Sequence, residues 1–351
     1  MKMLGEDNLE LPFGQNKPCW IVAELSGNHL QNYERAKELI EAAVEAGADA
    51  VKLQTYTPDT LTIDCDKADF MIQEHPLWRG LTLYQLYQKA YTPWDWHASL
   101  KEYGESLGLT VFSTPFDSSA VDFLEGLNFP FYKVASFMVE NLPLLQKIGS
   151  TRKPVILSRG LTSLDVLEKA LKTLELAGAP SCAILHCISS YPVVVGEMNL
   201  KTILDLISRY QVVVGLSDHS LSDIPPVAGV VLGAKIIEKH LTLSRRSGGP
   251  DAEFSLEPQE FAKMVAAVRE TEESLGAPCY SPAPGEEVSR QFKQSIYVVK
   301  DIGKGEKLTE ENIRIIRPGY GLAPEHYSSV LGKSAVRTLE RGDPLSWDVI
   351  I

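Results

Sequence analysis

The chain has 351 residues, 44% of them hydrophobic and 23% charged, which is the composition of a soluble globular protein and not of a disordered one. Its length exceeds that of one compact domain and fits a barrel of about 250 residues with a small second domain. The formal net charge of −12 and the pI near 5.2 argue against non-specific binding to nucleic acid or membrane surfaces, so local cations must hold any anionic ligand.

The N-terminus and the cysteines bear on the cellular compartment. The first residues, MKMLGEDNLELPFG, have acidic side chains where a signal peptide needs an apolar core, and no apolar run is long enough to span a membrane. The five cysteines are scattered and form no C-x-x-C pair, which argues against disulfides and thiolate zinc sites. We therefore predict a cytoplasmic protein in which Cys187 is a small buried residue rather than a nucleophile.

Short β-rich runs alternate with amphipathic helical stretches through residues 20–275. The helical stretches are punctuated, since NYERAKELIEAAVEAG ends on Gly47 and TSLDVLEKALKTLELAG begins at Thr162 or Ser163. Eight strand–helix repeats predict a (β/α)₈ TIM barrel, and the rival open sheet lacks a Gly-rich dinucleotide fingerprint after its first strand. The eight strand runs are WIVAEL, DAVKLQT, LTVFST, FYKVAS, PVILS, CAILHC, VVVGLS and AKIIEKH.

Two further segments define the predicted organisation. The longest insertion, residues 58–81, follows the second strand and is a candidate active-site loop. After the barrel, GAPCYSPAPGEEVSR is rich in Pro, Gly and Ser and is typical of a linker. We predict a barrel domain over residues 1–280, a linker over 281–290 and a small β-rich domain over 291–351.

Polar residues end all eight predicted strands. In a TIM barrel the carboxyl ends of the strands form the functional mouth, so these residues are candidates for binding or catalysis. They are Glu24, Asn28 and His29; Lys52 and Gln54; Ser113 and Thr114; Lys133 and Ser136; Ser158 and Arg159; His186, Ser189, Ser190 and Tyr191; Ser217, Asp218 and His219; and Glu238, Lys239 and His240.

Two pairs of residues suggest chemistry. Lys52 and Lys133 lie inside strand runs, where burial is costly unless an anionic ligand or an internal partner such as Glu24 or Glu238 offsets the charge. His219 and His240 end adjacent strands, where two imidazoles suit a catalytic divalent metal such as Mn²⁺ or Zn²⁺ or, alternatively, are hydrogen-bonded core histidines. Glu24 is placed to orient a substrate hydroxyl or move a proton.

The chain resembles the sialic acid synthase family over the whole barrel. The matching stretches are AELSGNH, KLQTYTPDTL, FSTPFD, YKVAS, LSRG, LHCISSYP, GLSDHS, IIEKHLT and GGPDAEFSLEP. The tail, with KDIGKGEKLTEENIRIIRPGYGL, resembles the antifreeze-like (SAF) domain of that family. The stretches ELSGNH, LYQLYQKAYTPW and GGPDAEFSLEP are most similar to the branch that makes pseudaminic acid.

The resemblance implies condensation of phosphoenolpyruvate with an open-chain N-acetylated sugar, 2,4-diacetamido-2,4,6-trideoxy-L-altrose in this branch, with phosphate released by C–O cleavage. It implies Mn²⁺, or alternatively Mg²⁺ or Co²⁺, on His219 and His240. It also implies a domain-swapped homodimer in which Arg317 contacts the sugar bound by the partner. Glu24, Glu238, Tyr191 and Asp251 would handle the sugar and proton transfers, and the other substrate-binding residues would be Lys52, Gln54, Thr114, Lys133, Ser136, Ser158, Ser189 and Ser217.

Three positions depart from the family pattern. Met138 stands where the family usually has a glutamate, with Glu140 two residues further on. Arg159 replaces the middle residue of a common STG motif and either adds a cation near the phosphate or points outward. Ser189 stands where relatives carry asparagine.

Other functions are compatible with parts of the sequence. The same mechanism could serve N-acetylneuraminate or legionaminate synthesis. A metal-dependent aldolase or isomerase would need the histidine pair but not the two lysines. A non-catalytic carbohydrate-binding scaffold would need neither.

Overall fold

Eight parallel strands close into a barrel, in which each strand pairs with its sequence neighbours and β1 pairs with β8. The structure is a computed structural model that describes residues 11–74, 77–191 and 193–351. The closed barrel confirms the predicted (β/α)₈ fold. The strands are β1 Trp20–Glu24, β2 Ala50–Thr55, β3 Thr110–Pro115, β4 Tyr132–Val134, β5 Val155–Arg159, β6 Cys182–Cys187, β7 Val214–Asp218 and β8 Ile236–His240.

Helices follow the strands and cover the outside of the barrel. The Ser163 side chain accepts from the Val166 N–H, so Ser163 is the cap among the two predicted candidates. The Asn32 side chain caps α1 in the same way by accepting from the Arg35 N–H. The barrel helices are α1 Tyr33–Glu45, α2 Pro58–Leu61, α3 Leu83–Ala90, α4 His97–Ser106, α5 Ser118–Gly126, α6 Leu142–Ser150, α7 Leu164–Ala177, α8 Thr202–Tyr210, α9 Ile224–Val231 and α10 Pro258–Leu275.

An aromatic plug fills the lower barrel interior. Phe13, Trp20, Phe112 and Phe131 are all buried, and the Phe112 and Phe131 ring centroids lie 4.9 Å apart. Because side chains alternate along a strand, the inward positions of β1 run from Trp20 through Val22 to Glu24. The barrel core is therefore apolar below and polar at its carboxyl end.

The outward positions of the same strands face the helix layer. Lys239 forms a buried ion pair with Asp218 and also donates to the carbonyl of Ser222 at 3.0 Å. The Nε2 of His186 is 2.6 Å from the carbonyl of Met198. These three polar residues end strands but serve the packing of the barrel wall, so the prediction that strand ends as a whole face the mouth is wrong for them.

The insertion after β2 is a folded segment. It contains α2 and a short hairpin, in which Met71 pairs with Thr82 and the Ile72 N–H donates to the carbonyl of Leu81. A capping box at Thr82 and Gln85 then starts α3. His75 and Pro76, within the insertion, lie outside the described residues.

The described residues up to Gly276 form one compact unit, and Ala277–Ile351 form a second one. In the second unit, β9 Ser295–Val298 pairs with β10 Ile313–Ile316 in an antiparallel sheet, and α11 Tyr327–Val330 is the one α-helix described there. The sheet covers a small core that includes Ile296, Ile302 and Leu339. This architecture confirms the predicted β-rich second domain, while the boundaries at residues 280 and 291 stay predictions.

Part of the predicted linker is structured. Residues 273–294 are exposed, and Pro284–Phe292 form a 3₁₀ helix that the Pro- and Ser-rich composition did not indicate. Among the described residues, no helix combines the length and apolarity needed to cross a bilayer. The predicted lack of a signal peptide rests mainly on residues 1–10, which lie outside the described residues.

We predict that a buried histidine makes unfolding pH-dependent. His97 lies between Phe123 and Phe129, and burial lowers its pKa to about 4. Between about pH 6.5 and pH 4, His97 is protonated in the unfolded chain but neutral in the folded one. The free energy of unfolding should therefore fall as the pH drops from 6.5 toward 4. His97→Gln should lessen the loss of unfolding free energy between pH 7 and pH 5 by about 1–2 kcal/mol in urea titrations.

His326, a more exposed histidine of the second unit, provides the control. His326→Gln should leave the pH dependence as it is in the parent chain. Equal pH dependence in the two variants would contradict this origin of the effect.

Candidate active site

A cavity of about 840 Å³ opens at the carboxyl ends of the strands. Its floor comes from inward strand-end residues, including Lys52, Lys133 and Glu238, and one wall comes from the insertion after β2 and from α3. The size suits a small organic ligand. Its place at the carboxyl end of the barrel matches the location of TIM-barrel active sites.

Four charged residues form a row at the cavity floor. Lys52 Nζ lies 2.5 Å from Glu24 Oε2 and 3.8 Å from Glu238 Oε1, and Lys133 Nζ lies 3.2 Å from the same Glu238 oxygen. All four side chains are at most 6% exposed. Both lysines thus have internal carboxylate partners, as one interpretation of the sequence required, and both also line a cavity that an anion can enter.

Burial and neighbouring charges have opposing effects on the pKa values of these four residues. Burial raises the pKa of Glu24, and the Lys52 charge only partly offsets it. Burial also raises the pKa of Glu238, but the charges of Lys133 and Lys52 outweigh burial and bring the pKa below its usual value. Burial lowers the pKa of Lys133, whereas for Lys52 the two carboxylates outweigh burial and raise it. Lys133 is therefore the lysine whose charge is less well compensated.

Serine and threonine hydroxyls surround the row. Ser217 donates to Glu238 at 3.0 Å, and the Thr114 hydroxyl lies 3.3 Å from Lys52 Nζ. Ser136 and Ser189 hydrogen-bond each other at 2.7 Å, and the buried Ser158 hydroxyl finds no hydrogen-bond partner among the described residues. The Ser158 hydroxyl is therefore the one of these groups with its donor available to a ligand in the described part of the chain.

Gly160 leaves space for the hydrogen-bonded Ser136 and Ser189 side chains. A Cβ at this position would collide with the Ser189 hydroxyl and approach the Ser136 Cβ to 2.7 Å. Glycine is therefore required where the loop after β5 passes the paired serines.

His219 and His240 are adjacent at the cavity edge, with ring centroids 5.3 Å apart. His219 Nδ1 lies 3.1 Å from the carbonyl of Ile188, whereas the buried Nδ1 of His240 finds no hydrogen-bond partner in the described part of the chain. Burial, and then the charge of His219, lower the pKa of His240 well below its usual range. Neutral imidazole is the form that ligates a metal.

No group of three or more His, Cys, Asp or Glu side chains that could hold a metal occurs among residues 11–74, 77–191 and 193–351. His219 and His240 alone would supply two ligands to an ion, one fewer than a typical catalytic zinc centre.

Cys187 also belongs to the cavity. It is buried, and its thiol lies 3.8 Å from the Ser189 hydroxyl. Burial raises the pKa of this thiol, but the His219 contact outweighs it and lowers the pKa on balance. The prediction of a buried residue is met, although its surroundings are polar.

A hydrogen-bonded chain links Glu24 to Asp251. Gln54 Nε2 donates to Glu24 Oε1 at 2.9 Å and to the Ser26 hydroxyl at 3.1 Å, and Ser26 in turn donates to the Asp251 carboxylate. The Gly27 N–H donates to the same carboxylate at 3.4 Å. Three separate segments thus meet at one side of the cavity.

A further side of the cavity, next to the Ser26–Asp251 contact, is apolar. Trp78 is fixed by a 2.7 Å hydrogen bond from its indole N–H to the carbonyl of Pro250, and its ring centroid lies 6.3 Å from that of Tyr191. The ring centroid of Tyr191 in turn lies 4.4 Å from that of His219. We call this side the apolar wall, and it consists of Leu61, Ile72, Trp78, Leu83, Leu86 and Ala90.

The structure brings most of the predicted site residues together. Glu24 and Thr114 lie one step behind the cavity surface and contact Lys52, which lines it. Arg317 is an exposed residue of the second unit. The predicted residues that line the cavity are Lys52, Gln54, Lys133, Ser136, Ser158, Ser189, Tyr191, Ser217, His219, Glu238, His240 and Asp251.

The structure shows where the residues that depart from the family pattern lie. Met138 lines the cavity, and Glu140 is exposed. The Arg159 guanidinium donates to the carbonyl of Thr162 at 3.2 Å, within its own loop. Arg159 therefore stabilises the loop after β5, and Met138 places an apolar group where the family usually has a carboxylate.

Several residues of the cavity were missed by the sequence interpretation, and Ser26 and Trp78 are two of them. Ser26 lies two residues beyond β1, and Trp78 lies in the insertion. For Ser26 the available signal was its place in SGNH between Glu24 and the next helix. Trp78 gave no local signal, because its partner Pro250 is 172 residues away.

Comparison with known proteins gives consistent relatives. A profile of the NeuB family matches residues 39–280, and one of the SAF domain matches residues 293–350. A pseudaminic acid synthase of Helicobacter pylori is 42% identical over 95% of this chain and 98% of its own length, and one of Campylobacter jejuni is 41% identical over 95% and 97%. A solved N-acetylneuraminic acid synthetase of Leptospira borgpetersenii is 31% identical, with a TM-score of 0.71 over 83% of this chain and 97% of that one.

We predict that removal of Lys133 destabilises the fold strongly. Lys133→Met leaves Glu238 buried with one lysine partner in place of two, so the free energy of unfolding should drop by about 3 kcal/mol. Lys147→Met, which breaks a half-exposed ion pair with Asp122, should change it by less than about 1 kcal/mol. Urea titrations at pH 7 measure both, and equal losses would contradict the importance of the buried row.

Proposed function

We propose that this chain, which belongs to the NeuB family, is an enzyme that condenses phosphoenolpyruvate with an N-acetylated sugar to give pseudaminic acid and phosphate. The observation that carries this conclusion is the 41–42% identity to two pseudaminic acid synthases over nearly the full length of each chain. The sugar we propose is 2,4-diacetamido-2,4,6-trideoxy-L-altrose.

The apolar wall supports a deoxygenated sugar. Two acetyl methyl groups and the C6 methyl group of this substrate are apolar, and burying them against Ile72, Trp78 and Leu83 is favourable. N-acetylmannosamine carries one acetamido group and a C6 hydroxyl, so it would bury less apolar surface and leave that hydroxyl against the wall. Met138, in place of the usual glutamate, extends the apolar surface.

We assign phosphoenolpyruvate to the charged floor. Lys52 and Lys133 would bind its carboxylate and phosphate, with hydroxyls from Thr114, Ser136, Ser158, Ser189 and Ser217. Because Glu24 and Glu238 already partner the lysines, the incoming anion would compete for their N–H donors. The unpartnered Ser158 hydroxyl supports a ligand at this point.

We assign a divalent metal to His219 and His240. The buried, unpartnered Nδ1 of His240 and the adjacent rings fit such an ion, for which we propose Mn²⁺, with Mg²⁺ or Co²⁺ as alternatives. When bound there, the ion supplies Lewis acidity to the sugar aldehyde.

The protein's own groups complete the proposed reaction. Glu238 lies between both lysines and Ser217, where its ionised carboxylate would accept a proton transferred during the reaction. Gln54, Tyr191 and Asp251 would bind the sugar. Glu24, which contacts Lys52 and Gln54, would act by fixing their orientation and charge.

We propose a homodimer in which the tail of one chain caps the barrel of its partner and Arg317 contacts the partner's sugar. Large exposed apolar residues on the loops after strands β4 to β7 support a covering partner, and these are Phe137, Leu161, Val194, Val195, Leu221 and Ile224. A cytoplasmic location remains a prediction from the N-terminal residues and the scattered cysteines. The absence of nucleic-acid and membrane partners remains a prediction from the acidic composition.

We expect phosphate release from phosphoenolpyruvate with the altrose sugar at a kcat/KM at least about tenfold above that with N-acetylmannosamine or the legionaminate precursor. Leu83→Gln should reduce this preference, because it introduces an amide into the apolar wall. Leu176→Gln, at an exposed leucine of α7, should not.

The outcome of this assay separates the candidate functions. Equal or faster release with N-acetylmannosamine would favour the N-acetylneuraminate branch. If no sugar promoted release, an aldolase, an isomerase or a carbohydrate-binding scaffold would be favoured instead.

We predict that His219→Ala and His240→Ala each lose turnover and bind Mn²⁺ at least about tenfold more weakly. Titration calorimetry with Mn²⁺ measures binding without the need for turnover. His186→Gln is the matched control, because His186 also ends a strand but faces the helix layer. Unchanged Mn²⁺ affinity in both alanine variants would mean that the histidines are packing residues.

A further inference from the structure

Ser26 has a backbone conformation that is unfavourable for a serine. Its φ angle is +44°, in the left-handed region that residues with a Cβ adopt rarely, and the residue is buried. It lies two residues beyond β1, at the start of the 3₁₀ helix Ser26–His29. Strain of this kind persists only where the surrounding structure fixes it, and it is concentrated at functional sites.

Close packing of the next residue holds this conformation in place. A Cβ on Gly27 would lie 2.9 Å from the Ala90 Cα at the end of α3, so the backbone is pressed against that helix. Asn28, one residue later, donates to the carbonyl of Leu241 at 2.8 Å. The segment is therefore anchored to the chain segments that follow β2 and β8, the two strands next to β1.

The conformation directs three groups of this segment to Glu24, Gln54 and Asp251. The Ser26 N–H donates to Glu24 Oε1 at 3.1 Å, and its hydroxyl accepts from Gln54 Nε2 and donates to Asp251. The Gly27 N–H donates to the same Asp251 oxygen. An extended backbone at Ser26 could not direct these groups to the same three partners.

The contacts also fix what the cavity presents to a ligand. The Gln54 amide nitrogen donates to both Glu24 and Ser26, which directs the amide oxygen to the cavity as an acceptor. Asp251, when ionised, is also an acceptor. A pair of acceptors selects ligand donors, namely hydroxyl groups or acetamido N–H groups.

We propose that Ser26 is a positioning residue for the sugar: it holds Gln54 and Asp251 as a pair of acceptors that binds sugar hydroxyl or acetamido N–H groups. This inference rests on the proposed function, because it assigns the same cavity to a sugar. Ser26 acts through its two partners and takes no part in phosphoenolpyruvate binding.

The test is a double-mutant cycle between Ser26→Ala and Asp251→Asn. Ser26→Ala should raise the sugar KM, and the sugar Kd in titration calorimetry, about tenfold, and should leave the KM for phosphoenolpyruvate within about twofold. In the Asp251→Asn background, Ser26→Ala should weaken sugar binding by no more than about twofold, because the partner through which Ser26 acts is already impaired.

Ser26→Gly separates the hydroxyl from the backbone strain. Glycine accepts the left-handed conformation, so this variant should fold at least as well as Ser26→Ala and still lose the same sugar affinity. Gln211→Gly is the matched control, since Gln211 has a φ of +52° at the exposed end of α8. It should change the sugar Kd less than about twofold.

Additive losses in the cycle, or equal weakening of both substrates, would overturn the positioning role and leave Ser26 a structural residue. If the parent chain binds the sugar but releases no phosphate, the proposed function fails and the calorimetric cycle still decides the role of Ser26. If the parent chain binds no sugar, both proposals fail.

Discussion

Mutual neutralisation of two lysines and two glutamates is the interaction on which the site depends. Burying any one of these charged side chains alone would cost several kcal/mol of folding free energy. Together they form a row of alternating charge, Glu24, Lys52, Glu238 and Lys133. The row keeps ammonium groups in a buried place without a ligand. An incoming dianion then exchanges one set of partners for another, so cations do not have to be brought in from solvent.

The alternation of inward and outward side chains along each strand explains how much of the site could be predicted from sequence. Strand periodicity and helix caps predicted all eight strands, and Lys52 and Lys133 marked the charged floor. Counting every second residue from Trp20 or from Leu185 also separates Glu24 and Cys187, which face inward, from His186, which does not.

Contacts between distant segments could not be predicted in this way. Trp78 is held by Pro250, and Ser26 is joined to Asp251 across 225 residues, so neither role has a local signature. The strained backbone of Ser26 depends on the packing of Gly27 against Ala90, which is a tertiary contact. The choice of sugar was available only through resemblance to relatives, because a wall built from an insertion has no fixed sequence pattern.

The aromatic plug beneath the charged row has an electrostatic consequence. Phe13, Trp20, Phe112 and Phe131 make the lower barrel an apolar region of low dielectric constant, so the field of the charged row is directed toward the open end. The protein as a whole carries a charge of −12 and repels anions at long range. Capture of an anion would then depend on a short-range funnel, within about 8 Å at physiological ionic strength, and added salt would act mainly by weakening the repulsion that surrounds it.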